Sequence, residues 1–523
     1  MVKWLILVLY LLLMVGIGIY CHSKTKNVSD FVLGGRSIGP WFSAFAFGTS
    51  YFSAVVFIGY AGQFGWKYGI SAAWIGLGNA LIGSLLAWLV LGRRTRSMTK
   101  ALDATTMPEF FEKRYGSKAL KIAASLIVFL FLIPYTASVY NGLSRLFESS
   151  LGIPYIYCII VMAVFTAIYV IAGGFHATAL NDFVQGIIML IGILAVVFTV
   201  LSKAGGFTHA IENLNAIPDD SGDLNTLGSL FGPNPADLFG VVILTSLGTW
   251  GLPQMIQKFY SISDDSAIRR GTVISTIFAV IVSGGCYFLG GFGRLFSTTD
   301  ASDTSKSLIS TLPNGKLEYD AIVPAMLESA LPEFLIGLIV VLVLSASMST
   351  LSSLVMTSSS TLTLDLIKPA MAKKGKAMDE KKQVLIIRIF IAVFLLISVI
   401  MATYKNAYIT TLMSISWGAL SGSFLAPFML GLYSKKITPA AVWACFGFAV
   451  IFTITHTCLF LLGWFPELTA RVNALPLPIT LTSPLNAGAF CMLFGLVLCP
   501  VVSAFTRKPD EKTVAASFSC YEN

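Results

Sequence analysis

The stretch "SASMSTLSSLVMTSSS", residues 345–360, places ten Ser and Thr residues among sixteen, directly behind the apolar run "FLIGLIVVLVL". On a helix, residues three and four apart share a face. Ala346, Ser349, Thr350 and Ser353 form one such stripe, and Ser349, Ser352 and Ser353 form an overlapping one. A hydroxyl is a neutral oxygen ligand, and a hard cation needs several oxygens in place of its water. Neutral ligands also let a mobile ion go. The competing reading is that these hydroxyls bond their own helix carbonyls and pack. Packing is the expectation for 357–360; the candidate ion stripe is 346–353.

The elements that must position this stripe follow from composition. Of 523 residues, 56% are hydrophobic and only 12% charged, against about 25% charged in soluble domains. Thirteen apolar stretches are long enough to span a bilayer, which takes roughly 20 residues each. They lie near 3–21, 41–63, 68–92, 120–147, 155–172, 183–203, 235–257, 271–295, 334–361, 384–402, 408–432, 439–461 and 484–506. They are too long for barrel strands of about 10 residues. The expected class is an all-α polytopic membrane protein.

Lys and Arg accumulate on cytoplasmic loops. With the N-terminus outside, the inside connections include "CHSKTKNVSDFVLGGRSIGP", "GGFHATALND", "KPAMAKKGKAMDEKK" and "SKK", and they hold most of the 35 basic residues. The loops at 204–234 and 296–333 are instead rich in Asp and Glu. The expectation is a multi-pass cell-membrane protein with its N-terminus outside and its C-terminus cytoplasmic. The basic balance then reflects the inner membrane surface, and no nucleic-acid partner is expected. The first stretch has no small-residue cleavage site and reads as retained. The eight Cys are scattered without CxxC spacing, and His176 reads as a loop residue. No Walker, nucleophile-elbow or zincin motif occurs, so the chain does not read as an enzyme or an ATP-driven pump. No organic cofactor and no obligate protein partner are expected.

Two stretches are flawed as plain helices. The second carries Gly48, Thr49, Ser50 and Ser53 near its middle, and the seventh carries Gly248, Gly251 and Pro253. Unwound backbone at membrane depth is tolerated where protein or a water-filled cavity satisfies it. Two interrupted helices five stretches apart suit an inverted repeat of five plus five, with ligands meeting at the breaks. Close helix packing is the alternative use of such glycines.

The segments "DFVLGGRSIGPWFSAFAFGTSYFSA", "GGFHATALNDFVQGIIMLIG" and "SASMSTLSSLVMTSSSTLTLDLIK" together resemble the sodium:solute symporter family over residues 5–505. The resemblance implies a leucine-transporter-type core with alternating access. It divides the chain into an extra helix and loop (1–40), a first five-helix repeat (41–203), a loop (204–234) and a second repeat (235–432), then two further helices (433–506) and a tail (507–523). It implies sodium as the coupling ion, held by the hydroxyls of Ser349 and Thr350 and the carbonyls of Ala346, Thr49 and Phe52. Some relatives carry a second sodium site, whose matching positions here are Asp182, Ser349, Ser352 and Ser353. Asp182 otherwise reads as an N-cap of the sixth stretch. Because all four positions are kept, more than one sodium per solute is expected.

Within the family, the pattern looks most like the proline and pantothenate branches. Proline symporters typically carry Asp where this chain has Tyr51 and Trp where it has Val55. By position, Tyr51, Ser53, Tyr135, Thr249, Trp250 and Trp417 are the candidate solute contacts. The expected activity is sodium-coupled symport of a small carboxylate-bearing solute, with a proline-like amino acid first and pantothenate or another monocarboxylate as the alternative. A passive channel would need a continuous polar pore, whereas the hydroxyls here are confined to one helix and two breaks. The tail "TRKPDEKTVAASFSCYEN" is too short for the signalling module of a transporter-like sensor.

Overall fold

The computed structural model describes residues 2–22, 27–311, 317–376, 378–403 and 409–521. A lipid-facing backbone must satisfy its own hydrogen bonds, and helices accordingly occupy all thirteen apolar stretches. The principal elements are α1 (Val2–His22), α2 (Pro40–Tyr51), α3 (Val55–Ala101), α4 (Lys118–Leu151), α5 (Tyr155–Lys203), α6 (Pro235–Leu247) and α7 (Pro253–Tyr260). After them come α8 (Asp265–Gly290), α9 (Glu333–Thr361), α10 (Glu380–Ala402), α11 (Ile409–Tyr433), α12 (Pro439–His456) and α13 (Pro484–Phe505). Among the described residues, strand pairing is confined to a two-residue parallel pair, Ser297–Thr298 with Ser307–Leu308, and two isolated bridges, Ile38 with Ile262 and Thr311 with Leu317.

Among the described residues, ten helices are long and apolar enough to cross a membrane, or eleven if the bent pair α6–α7 is one span. The expected thirteen differ because two helices each hold more than one stretch. The 49 residues of α5 would run about 74 Å if straight, more than twice a bilayer's hydrocarbon thickness. The helix is interrupted at Gly174, whose φ of 56° is left-handed. Gly69 interrupts α3 in the same way at φ 58°. A side chain there would also meet the Leu227 carbonyl at 2.0 Å.

Local sequence sets several starts. Proline stands at the first helical position of α2, α6, α7, α12 and α13, where its missing N–H leaves nothing unpaired. Asp264 caps α8 through Oδ1, and Asp379 caps α10 in the same way. Two expectations are corrected here. The segment "GGFHATALND" is helical apart from Gly174, so His176 is not in a loop. Asp182 lies well inside α5 and caps nothing.

The hydroxyl-rich α9 packs against α1, α2, α4, α5 and α10. It and α11 are the most thoroughly buried of the membrane-length helices, while α1, α10, α12 and α13 keep apolar faces outward. Tyr169 of α5 donates to the Met348 carbonyl at 2.6 Å and fixes α9 beside the break in α2. Glycines allow the closest approach elsewhere. A Cβ at Gly290 would lie 2.1 Å from the Ala61 carbonyl, and one at Gly65 would lie 1.9 Å from the Gly290 carbonyl.

Gly290→Ala is therefore expected to destabilise the protein by about 1–3 kcal/mol or more through overpacking. Gly447, mid-helix in α12 with nothing within 4 Å of an added Cβ, should gain roughly 0.5–1 kcal/mol as alanine. Thermal unfolding of the two variants in detergent should move in opposite directions, and equal shifts would remove the close-packing account.

Candidate functional site

The sequence places the break in α2 among Gly48, Thr49, Ser50 and Ser53, and the helix runs through the first three of these. Gly48 is a packing glycine, since a Cβ there would sit 2.4 Å from the Phe278 ring. The helix ends at Tyr51, and Phe52 adopts extended angles, φ −105° and ψ 96°. Ser53 then restarts the chain, its hydroxyl accepting from the Val55 N–H at 3.2 Å and its carbonyl from Val56 at 2.9 Å. A helix that stops leaves its last carbonyls without partners. Phe52 N–H meets the Gly48 carbonyl at 3.1 Å, and the next two carbonyls are met from another helix.

Ser349 donates to the Thr49 carbonyl at 2.8 Å, and its hydroxyl also lies 3.1 Å from the Ala346 carbonyl. The Thr350 hydroxyl lies 3.4 Å from the Thr49 carbonyl, 3.3 Å from that of Ser50 and 3.1 Å from that of Ala346. Plain packing would bond each hydroxyl only to its own helix. Here both also reach carbonyls some 300 residues away. Five oxygens thus converge on one buried point. Four belong to the expected set; the fifth is Ser50 O, whereas neither hydroxyl bonds the Phe52 carbonyl. Thr49 offers only its carbonyl, because its hydroxyl is turned to Phe45 O at 2.8 Å.

The neighbouring hydroxyls diverge. Ser352 bonds back to the Ser349 carbonyl at 2.8 Å, and Ser353 meets the Ser50 hydroxyl at 2.7 Å. Both line a small cavity with Lys258, Gln257 and Thr357. Thr357 donates to Gln257 Oε1 at 2.7 Å, so it reaches α7 and is not a hydroxyl that merely packs on its own helix. Asp182 meets none of the three serines. Its Oδ2 lies 3.3 Å from the Lys258 ammonium, and both side chains are buried.

The six candidate solute contacts are all buried. Tyr51 lies 6.3 Å and Tyr135 5.9 Å from the Trp417 ring, between centroids. Tyr51 donates to the Thr245 carbonyl at 2.6 Å, which ties α2 to α6. Thr249 and Trp250 instead turn their polar atoms to the Gly83 and Ile82 carbonyls of α3, at 3.1 and 3.0 Å. The break between α6 and α7 falls at Gly251 and Leu252 with a bend of 42°. Tyr60 lies close enough to Tyr51 and Tyr135 to interact with both. The Tyr60 hydroxyl and the Trp417 indole N–H are buried without hydrogen-bond partners.

Comparison with known proteins follows this geometry. The profile of the Sodium:solute symporter family matches residues 31–447. The chain belongs to the sodium:solute symporter family. It is a sodium-coupled solute symporter of the membrane, not an enzyme. Among its relatives is the osmoregulated proline transporter of Bacillus subtilis (strain 168), 28% identical over 82% of this chain and 83% of the relative. A sodium/proline symporter of Staphylococcus aureus (strain JH9) is 29% identical over 84% of this chain and 82% of the relative. In fold, the symporter is similar to a substrate-bound, outward-open Na+-coupled sialic acid symporter, with TM-score 0.73, 15% identity and 98% of each chain covered. It also resembles Mhp1, a nucleobase-cation-symport-1 family transporter, with TM-score 0.51, 13% identity and coverage of 94% and 99%. These neighbours carry the leucine-transporter-type architecture that the two broken helices suggest.

Sequence reasoning missed Ser50, Tyr60 and Lys258. Lys258 had a signal, since an ionisable residue inside an apolar span is a functional candidate by default. It stands in "LPQMIQKFY", near enough to the span's end to pass for a flanking charge. Ser50 and Tyr60 had none beyond their nearness to a break whose exact position depends on packing.

Replacing both hydroxyls, Ser349→Ala with Thr350→Ala, should raise the sodium needed for half-maximal coupled uptake on the order of a hundredfold. That is the scale of two polar contacts of about 1.4 kcal/mol each. Ser359, buried without a partner, should be nearly silent as alanine. Uptake against sodium concentration in proteoliposomes decides it; similar curves for the two variants would move the site elsewhere.

Proposed function

We propose that this symporter couples sodium entry to uptake of a small carboxylate-bearing organic solute by alternating access, with a proline-like amino acid as the first candidate. The carrying observation is the meeting of the Ser349 and Thr350 hydroxyls with the Thr49 and Ser50 carbonyls at the break in α2. A cation drawn into that point would take the oxygens' lone pairs while the hydroxyl protons turn away. Ion binding would thereby tie α9 to the broken helix.

The residues after Thr49 and Ser50 lead straight to Tyr51 and the aromatic group of Tyr135 and Trp417, so ion and solute would report to the same turn of α2. The Trp417 N–H, beside Tyr135, and the Tyr60 hydroxyl, beside Ser414, are buried donors of the kind a solute carboxylate could accept from. The proline transporters among the relatives support an amino acid. One observation favours the second reading, a monocarboxylate without an amine. None of the six candidate contacts is acidic, and Tyr51 spends its hydroxyl on the Thr245 carbonyl. We read the basic connections as cytoplasmic, which places the N-terminus outside and the C-terminus inside.

The test is uptake of labelled L-proline and labelled pantothenate into sealed proteoliposomes under an imposed inward sodium gradient. Proline accumulation that vanishes when choline replaces sodium is the expected result. Accumulation of pantothenate alone would establish the monocarboxylate reading. Uptake of either solute that is equal in sodium and in choline would sink the coupling itself.

A further inference from the structure

The pairing of Asp182 with Lys258 bears on how many ions this symporter carries. The carboxylate is fully enclosed, its Oδ2 lying 3.3 Å from the Lys258 ammonium. Its Oδ1 has no hydrogen-bond partner. The ammonium also lies 5.4 Å from the centre of the Phe175 ring, a face that attracts cations. Lys258 shares its cavity wall with Ser352 and Ser353, hydroxyls of the candidate ion stripe. Ser353 is joined through Ser50 to the five-oxygen point. A carboxylate and an aromatic face thus hold a positive charge that the chain itself provides, on the wall of the cavity that the two hydroxyls also line.

We propose that the Lys258 ammonium is a tethered cation, standing beside Asp182 where a second mobile ion would otherwise sit, and that it limits the symporter to one sodium per cycle. One buried carboxylate neutralises one positive charge. A sodium ion added beside the ammonium would leave two cations against one carboxylate in a poorly polarisable interior. The tether also fixes the ion count chemically. Lys258 is covalently held on α7, the second half of the broken pair α6–α7, so it moves with that helix and is never released to either side. Removing the ammonium should turn the same carboxylate and hydroxyls into a site for a free cation.

This inference rests on the sodium site proposed at Thr49, Ser50, Ser349 and Thr350, and the experiment separates the two. Binding of radioactive sodium alone is counted on the full-length protein in nanodiscs, at mildly alkaline pH and saturating sodium, with no solute present. Wild type should bind one sodium per protein with a Hill coefficient of one. Lys258→Met should bind two, Lys258→Arg one, and Lys258→Met combined with Asp182→Asn one again. Two sodium ions on wild type would overturn the tether whatever the variants do. Lys258→Met that still binds one sodium, its retained first site showing that it is folded, would overturn it as well. No sodium on wild type would instead count against the five-oxygen site.

Discussion

The contact between two hydroxyls of α9 and the unfinished end of α2 is what the rest of this architecture serves. A helix that stops inside a membrane exposes carbonyls with no water to take them up, and each unsatisfied group there is costly. Ser349 and Thr350 supply the missing donors at Thr49 and Ser50. In the sodium site proposed here, the oxygens whose hydrogen bonds make the break tolerable would be the ones that hold the cation. Structural repair and ion binding would then use one set of oxygens, so the state without an ion need not leave a buried void of polar groups.

That contact makes demands on the surroundings. α9 must lie in fixed register against α2, which the Tyr169 bond to the Met348 carbonyl and the burial of α9 among its neighbours provide. α2 must come close to α8, which Gly48 allows by offering no side chain to Phe278. Its second half must restart in a new direction, which Ser53 arranges with its own hydroxyl and carbonyl. The hydroxyls of Ser358 and Ser359, a little over two turns further on, are buried without partners. Position relative to the break separates the two groups of serines, not residue type.

Much of this was legible in the sequence, and the parts that were not share a cause. Apolar length located the membrane-length helices, because the bilayer imposes one length scale on them, but not the short connecting helices such as Met107–Tyr115 and Ile322–Ala330. The stripe at 346–353 was legible because helical periodicity is fixed. The break in α2 lies at Phe52 and Ser53, the far end of the Gly48–Ser53 cluster that marks it in the sequence, since a glycine can serve either close packing or interruption and only the neighbouring Phe278 decides which. Asp182 reads from the sequence as a second-site sodium ligand or, failing that, as the cap of a helix after a loop, whereas the turn is made by Gly174 alone, the helix resumes at once and the carboxylate meets Lys258. The Asp182–Lys258 pair joins positions 76 apart and leaves no periodic trace. Contacts between distant segments are what a single sequence does not display.

The tethered ammonium changes what the membrane potential can do for this symporter. One charge moving through 100 mV is worth about 2.3 kcal/mol, enough for roughly fifty-fold accumulation at about 1.4 kcal/mol per decade. With one sodium, that drive acts fully on a neutral zwitterion and not at all on a monoanion, whose charge cancels the ion's. A second sodium would restore the drive for a monoanion and square it for a zwitterion, to over a thousandfold. A chain that fills the second position with its own lysine gives up the same increment for either solute, and it keeps a drive from the potential only when the solute is electrically neutral.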